Sequence, residues 1–134
     1  MLHNVTLGEG DDLYKGIDSV VREHEIRAGY IVYAVGELSA VRLRTPSTPN
    51  RPNILERQGL FSITMLMGMV AVNATHLHLA VSGEDGVTIG GHVMTEGTIV
   101  HEQAEIGIFE DEAYVFSREH DPTTGYDELV VHTT

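Results

Sequence analysis

A single amphipathic helix stands near the front of this chain, and segments of strand character fill almost everything after it. In the helical stretch Leu13, Ile17, Val20, Val21 and His24 recur at three- and four-residue spacing, with Glu23 and Glu25 on the other side. Asp11 or Asp12 stands ready to cap its start, and Gly29 is placed to end it. Ahead of it, Leu7-Gly8-Glu9-Gly10 reads as a short first strand running into a turn. From Tyr30 the pattern changes, and strands are expected at 30–35, 38–44, 60–72, 75–82, 87–94, 98–109, 113–116 and 129–132. Gly36-Glu37, Asn73-Ala74 and Asp85-Gly86 supply turn chemistry between them, the last a strong hairpin signal. The segment 45–53 carries Pro46, Pro49 and Pro52 and reads as an irregular loop within one sheet rather than a domain linker. One helix and many strands on short turns imply an α+β fold with a largely antiparallel multi-stranded sheet. At 134 residues the chain is expected to form a single domain, 1–134.

The strand at 60–72 is apolar on much of both faces. Phe61, Ile63, Met65, Met67 and Met69 alternate onto one side, and Leu60, Leu66, Val70 and Val72 onto the other. Thioethers in such a row select Cu(I), but packing accounts for them better, because Met fills cores and the chain has no Cys. The second apolar face calls for a cover, either the helix or another subunit.

Histidine spacing carries the chemistry. His76 and His78 stand two apart on a strand, so both side chains leave the same face. His92 follows Gly90-Gly91 on the partner strand of the Asp85-Gly86 hairpin. A strict two-residue turn would set His92 opposite Leu79, on the wrong face. A three-residue loop, or a bulge at Gly90-Gly91, sets it opposite His78, where cross-strand neighbours lie about 5 Å apart. One of these two devices is expected. Three neutral imidazoles then suit zinc, or another divalent transition metal, with nitrogens at about 2.0–2.1 Å. A fourth position stays open for water, a substrate group or a residue of another chain, and zinc there would lower the pKa of water towards about 7. His101 is the best outside candidate for that position.

Charge bears on partners. The chain carries 8 basic and 20 acidic residues, a net charge of −12. Residues 1–83 are nearly balanced, eight acids against seven bases, whereas 84–134 hold twelve acids against Arg118 alone. An acidic surface argues against nucleic acid and anionic lipid as partners. Arg42, Arg44, Arg51 and Arg57 form the one local basic stretch, a candidate anion patch. Acidic residues near His92 would attract a cation and repel anionic substrates. The absence of cysteine suits a reducing compartment, and neither a leader-like start nor a membrane-length apolar run is present, so a cytoplasmic domain is expected.

The chain resembles the PPC domain, the plants-and-prokaryotes conserved domain. The resemblance rests on Gly36, on Gly59-Leu60-Phe61-Ser62-Ile63 leading to Gly68, and on Thr75-His76-Leu77-His78-Leu79 paired with Gly90-Gly91-His92. Ala104-Glu105-Ile106 and the tail from Arg118-Glu119-His120-Asp121-Pro122 to Thr124-Gly125-Tyr126 extend it over nearly the whole chain. It implies a compact α+β fold, a homotrimer and, in prokaryotic members, a metal, usually zinc, on the three histidines. Family members usually have Ser where this chain has Glu37, and Glu where it has Ser62. Plant relatives add an AT-hook built on Arg-Gly-Arg-Pro; here Asn50-Arg51-Pro52-Asn53 has one arginine and no glycine.

The first functional reading is a trimeric zinc-binding domain with its metal near a subunit boundary, serving as a small-ligand or protein-interaction module. The second is a zinc-dependent lyase or hydrolase using metal-bound water, with Glu105, Glu96 or Glu37 as acid or base. DNA binding, by analogy with the AT-hook proteins, stands third.

Overall fold

Helix α1 (Leu13–Glu23) buries Leu13, Ile17 and Val21, one stripe at four-residue spacing. Asp12 caps it, accepting from the Lys15 amide at 3.0 Å. The helix ends well before Gly29. The amides of Glu25 and Ile26 donate back to the carbonyls of Arg22 and Val21 at 3.2 and 3.0 Å, a Schellman turn that holds Glu25 at a left-handed φ of 52°. Gly29 belongs to the next strand, where an added Cβ would stand 2.8 Å from the Phe109 carbonyl oxygen.

The computed structural model describes residues 1–134 and sets eight strands around this helix. They are β1 (Leu2–Gly8), β2 (Ala28–Thr48), β3 (Arg51–Ala71), β4 (Thr75–Ser82), β5 (Thr88–Val93), β6 (Ile99–Glu110), β7 (Tyr114–His120) and β8 (Asp127–Thr133). The first six form a sheet in the order β1-β6-β2-β3-β4-β5, and β7 and β8 form a separate hairpin. Every pairing is antiparallel. The fold is therefore the α+β class that one helix and many short-turned strands imply.

Three local readings give way to the fold. The segments at 30–35 and 38–44 are one strand, because Gly36 makes a bulge and not a turn. The register with β6 shifts between Gly36 and Glu37, and a Cβ on Gly36 would lie 2.6 Å from the Ala104 Cα. Only glycine lets the two backbones come so close. The proline-rich segment is also drawn into the sheet, leaving Pro49 and Asn50 as the turn between β2 and β3. Pro46 and Pro52 fall where the register shifts between Thr45 and Thr48, an irregular stretch that tolerates a missing N–H. In β3, a shift between Ile63 and Met65 passes the buried side from Phe61 and Ile63 to Leu66 and Val70. Met65 and Met67 turn outward, 49% and 57% exposed, because a one-residue slip reverses every later side chain.

The length of β2 closes the sheet on itself. Past Ala40 it parts from β6, and its Leu43 and Arg44 pair with Val93 and His92 of β5. The strands β2, β3, β4 and β5 thus complete a circuit that covers part of the β5 edge. Its inner side joins the α1 stripe in a core cluster that includes Leu38, Leu43, Leu77, Val81 and Ile106. Phe116 of β7 packs with Ala28 and Ala71 in a smaller cluster, which fixes the tail hairpin against the ends of β2 and β3. No helix is long and apolar enough to cross a membrane.

Glu25 pays a steric penalty for its left-handed backbone that glycine would not. Glu25→Gly should raise unfolding stability by about 0.5–1 kcal/mol in urea titrations. A loss of stability would contradict the Schellman assignment.

Candidate metal centre

The loop between β4 and β5 determines which face His92 takes. The Gly83 amide donates to the Val87 carbonyl at 3.0 Å, and the Gly86 amide to the Gly83 carbonyl at 2.9 Å. Glu84, Asp85 and Gly86 therefore form a three-residue loop, with Gly86 left-handed at φ 80°. From Ser82 opposite Thr88 the register runs unshifted to His78 opposite His92. Loop length, and not a bulge, is the device. Gly90 and Gly91 serve close packing instead: added Cβ atoms would lie 2.7 Å from the Leu79 carbonyl oxygen and 2.6 Å from that of Arg44.

The three imidazoles converge. His76 Nε2 and His78 Nε2 are 2.9 Å apart, and one candidate ligand atom from each of the three rings lies within 4.8 Å of the others. His76 and His92 are half-buried and His78 is exposed. Burial, then the charges of Arg118, His78 and Arg44, lowers the His76 pKa to about 4. Burial, then Arg44 and the two other histidines, with Arg118 last, lowers that of His92 to about 4. Both rings are thus neutral near pH 7, the state in which imidazole offers a lone pair to a metal. His92 Nδ1 is buried and has no hydrogen-bond partner.

The close surroundings are basic. Arg44 faces His92 across the β2–β5 pairing, and Arg118 lines the cleft on the His76 side. Asn73 clamps the Arg118 backbone, accepting from its amide and donating to its carbonyl, both at 2.8 Å. The expected acidic surroundings are confined to Asp127 and Glu128 on the cleft wall. Of the arginine stretch only Arg44 reaches the histidines. Arg42 pairs with Glu56 at 2.8 Å and shares with Arg57 a cleft that holds none of the histidines, and Arg51 opens β3 beside the turn. The four do not form one patch.

None of the carboxylates considered as acid or base lines the histidine clefts. Glu96 is held by Lys15 of the helix at 3.2 Å. Glu105 lies on β6, separated from β4 by β2 and β3, with Gln103 donating to it at 3.2 Å. Glu37 pairs with His101, and these two join Glu102 in a second group of potential metal ligands. His101 therefore belongs with that group and not with the three histidines.

Residues 1–111 match the family model of the Plants and Prokaryotes Conserved (PCC) domain. The chain belongs to this family. It is 34% identical over 128 residues to the bifunctional protein GlmU of Synechococcus sp. (strain JA-2-3B'a(2-13)), covering 96% of this chain and 20% of that protein. The chain thus spans about a fifth of the curated relatives it matches. A hypothetical protein of Salmonella cholerae-suis (Salmonella enterica) superimposes with a TM-score of 0.89 at 32% identity, over 99% of this chain and 94% of that one. A metal-containing protein of Archaeoglobus fulgidus does so with a TM-score of 0.84 at 21% identity, over 97% and 93%. A Bacteroides thetaiotaomicron protein with a provisional DNA-binding label gives 0.85 at 21% identity, over 96% and 91%.

Two features bear on the site. Glu37 and Ser62 are cross-strand partners, so the two positions singled out in the sequence lie side by side. Arg118 and Tyr126, which reach the histidines, lie beyond the 111 matched residues.

The lowered pKa values of His76 and His92 set a pH dependence. The unfolded chain protonates these rings below about 6.5 and the folded chain only near 4. The metal-free protein should therefore lose stability as pH falls through that window. Urea denaturation from pH 7 to pH 4 should show a shallower loss in His76→Gln/His92→Gln; an unchanged slope would contradict the burial of the two rings.

Proposed function

We propose that this PCC-family chain acts as one zinc-binding domain, assembled as a trimer, with the metal held by His76, His78 and His92. The observation that carries this reading is the convergence of their ring nitrogens within 4.8 Å, two of the rings neutral by burial. The buried Nδ1 of His92 has no hydrogen-bond partner, which suits a nitrogen free to act as a metal ligand. An all-imidazole donor set suits zinc. The metal-containing Archaeoglobus relative is in keeping with it.

Assembly is supported by the sheet face turned away from α1. Val32, Val35, Met65 and Met67 are exposed there, Val35 at 63%, and nothing within the chain covers them. Apolar patches of this kind mark interaction surfaces. Met67 pairs with His78 and Met69 with His76, so the metal would border that face and lie near a subunit boundary. A small-ligand or protein-interaction role in a reducing, cytoplasmic setting fits this arrangement.

Bound there, zinc would supply Lewis acidity and an acidified water. A lyase or hydrolase would also need a positioned base; Glu37, Glu96 and Glu105 lie off the histidine clefts, and of the two carboxylates that line one, Asp127 turns to His120 and Glu128 acts on Arg118. The binding reading is therefore preferred. DNA binding, the provisional label of the Bacteroides relative, meets a net charge of −12 per chain, with Arg42 already paired to Glu56.

Elemental analysis after dialysis against trace zinc should find one zinc per chain in a protein that sediments as three chains. His76→Ala should lose the zinc. Full occupancy in that variant would overturn the ligand assignment, and a monomeric wild type would overturn the assembly.

A further inference from the structure

The histidine cluster carries two cations, Arg44 and Arg118, that form no ion pair within the chain; Glu128 acts on Arg118 through its charge without pairing with it. Arg44 and Arg118 are both half-buried. The ion pairs formed by Lys and Arg belong to Lys15, Arg22 and Arg42, and none reaches these two. Arg118 Nε is buried with no hydrogen-bond partner, and so is Ser47 Oγ on the Arg44 side. Such groups are costly unless something satisfies them.

The two arginines are positioned differently. Arg44 lies over the Tyr126 ring, 4.7 Å from its centre, and the Tyr126 hydroxyl donates to the Ser47 carbonyl at 3.1 Å. Arg118 is fixed through its backbone by Asn73. The two open clefts, of about 240 and 320 Å³, share Arg44, His92 and Tyr126 and flank the histidines on either side. Asp127 and Glu128 line the second cleft, but Asp127 turns to His120 at 3.8 Å, and neither forms an ion pair with Arg118. Clefts of this size hold a molecule of a few carbons. A guanidinium is a planar fork of donors that matches the oxygens of carboxylate or phosphate.

We propose that the cleft binds a small molecule carrying a carboxylate or phosphate group, its oxyanion held by Arg44 and Arg118 and a second polar atom facing the histidines. This names the ligand class of the site assigned above, and it rests on that reading for the ligand's second anchor. The local charge selects the anion even though the chain as a whole is acidic. The acidic final third brings Asp127 and Glu128 to the second cleft but also its one base, Arg118, and the first cleft holds no carboxylate.

Calorimetric titration of the zinc-loaded protein at constant ionic strength tests this, with succinate in one arm and inorganic phosphate in the other. At least one anion should bind, and the tighter arm identifies the group recognised. Arg118→Gln should weaken that binding by about tenfold while leaving the zinc content unchanged. If Arg118→Gln does not fold, Arg118→Lys keeps the charge, loses the planar fork, and should still weaken the anion by about threefold. Failure of both anions to bind overturns the proposal and leaves the metal reading standing; a carboxylate of a second copy filling the cleft would give that result. Binding insensitive to Arg118 overturns it as well. Zinc retained by His76→Ala defeats the metal reading separately.

Discussion

The pairing of β5 with two strands at once is the constraint on which the site depends. On one side, the three-residue loop fixes β5 against β4 so that His92 stands opposite His78. On the other, the far half of β2 meets the same strand, and Arg44 stands opposite His92. The two pairings bring an arginine and three imidazoles to the end of a closed circuit of strands. Gly91 makes this closure possible, since a Cβ there would enter the Arg44 carbonyl. A register slip of one residue would send His92 into the core side and separate the cluster.

Electrostatics at the cluster run against the charge of the chain. The net charge of −12 sits mostly in the last third, yet the closest charged groups to the histidines are Arg44 and Arg118. Charge summed along a sequence describes long-range steering, whereas a site answers to the few groups within several ångströms, where screening is weak. The arginines help keep the imidazoles neutral and at the same time present unpaired donors to the cleft. One arrangement thus suits both a cation on the nitrogens and an anion beside it.

The sequence made the helix start, the later strands and the histidine spacing legible because each depends on local chemistry, whereas it divided β2 and shortened β3. Asp12 caps within its own turn, and the Asp85-Gly86 loop with His76, His78 and His92 spans a single hairpin. What it concealed depends on contacts between distant segments. Gly36 bulges to admit Ala104, which lies 68 positions away, and looks like a turn when read alone. The shift after Ile63 that turns Met65 and Met67 outward leaves no trace in an alternating apolar pattern. Glu25 ends the helix without the glycine that usually marks such an end. Arg118 was visible as the lone base of an acidic tail, but only the Asn73 clamp and the packing of Phe116 bring it to the histidines. The carboxylates weighed as acid or base lie on other strands or loops, and no spacing rule relates those to β4.

The proposed centre holds one metal on His76, His78 and His92 and leaves one position open. X-ray absorption at the zinc edge of the loaded protein measures its ligands directly. Three imidazole nitrogens and one oxygen at about 2.0–2.1 Å are expected. A spectrum dominated by carboxylate oxygens, with no imidazole scattering, would contradict that ligand set.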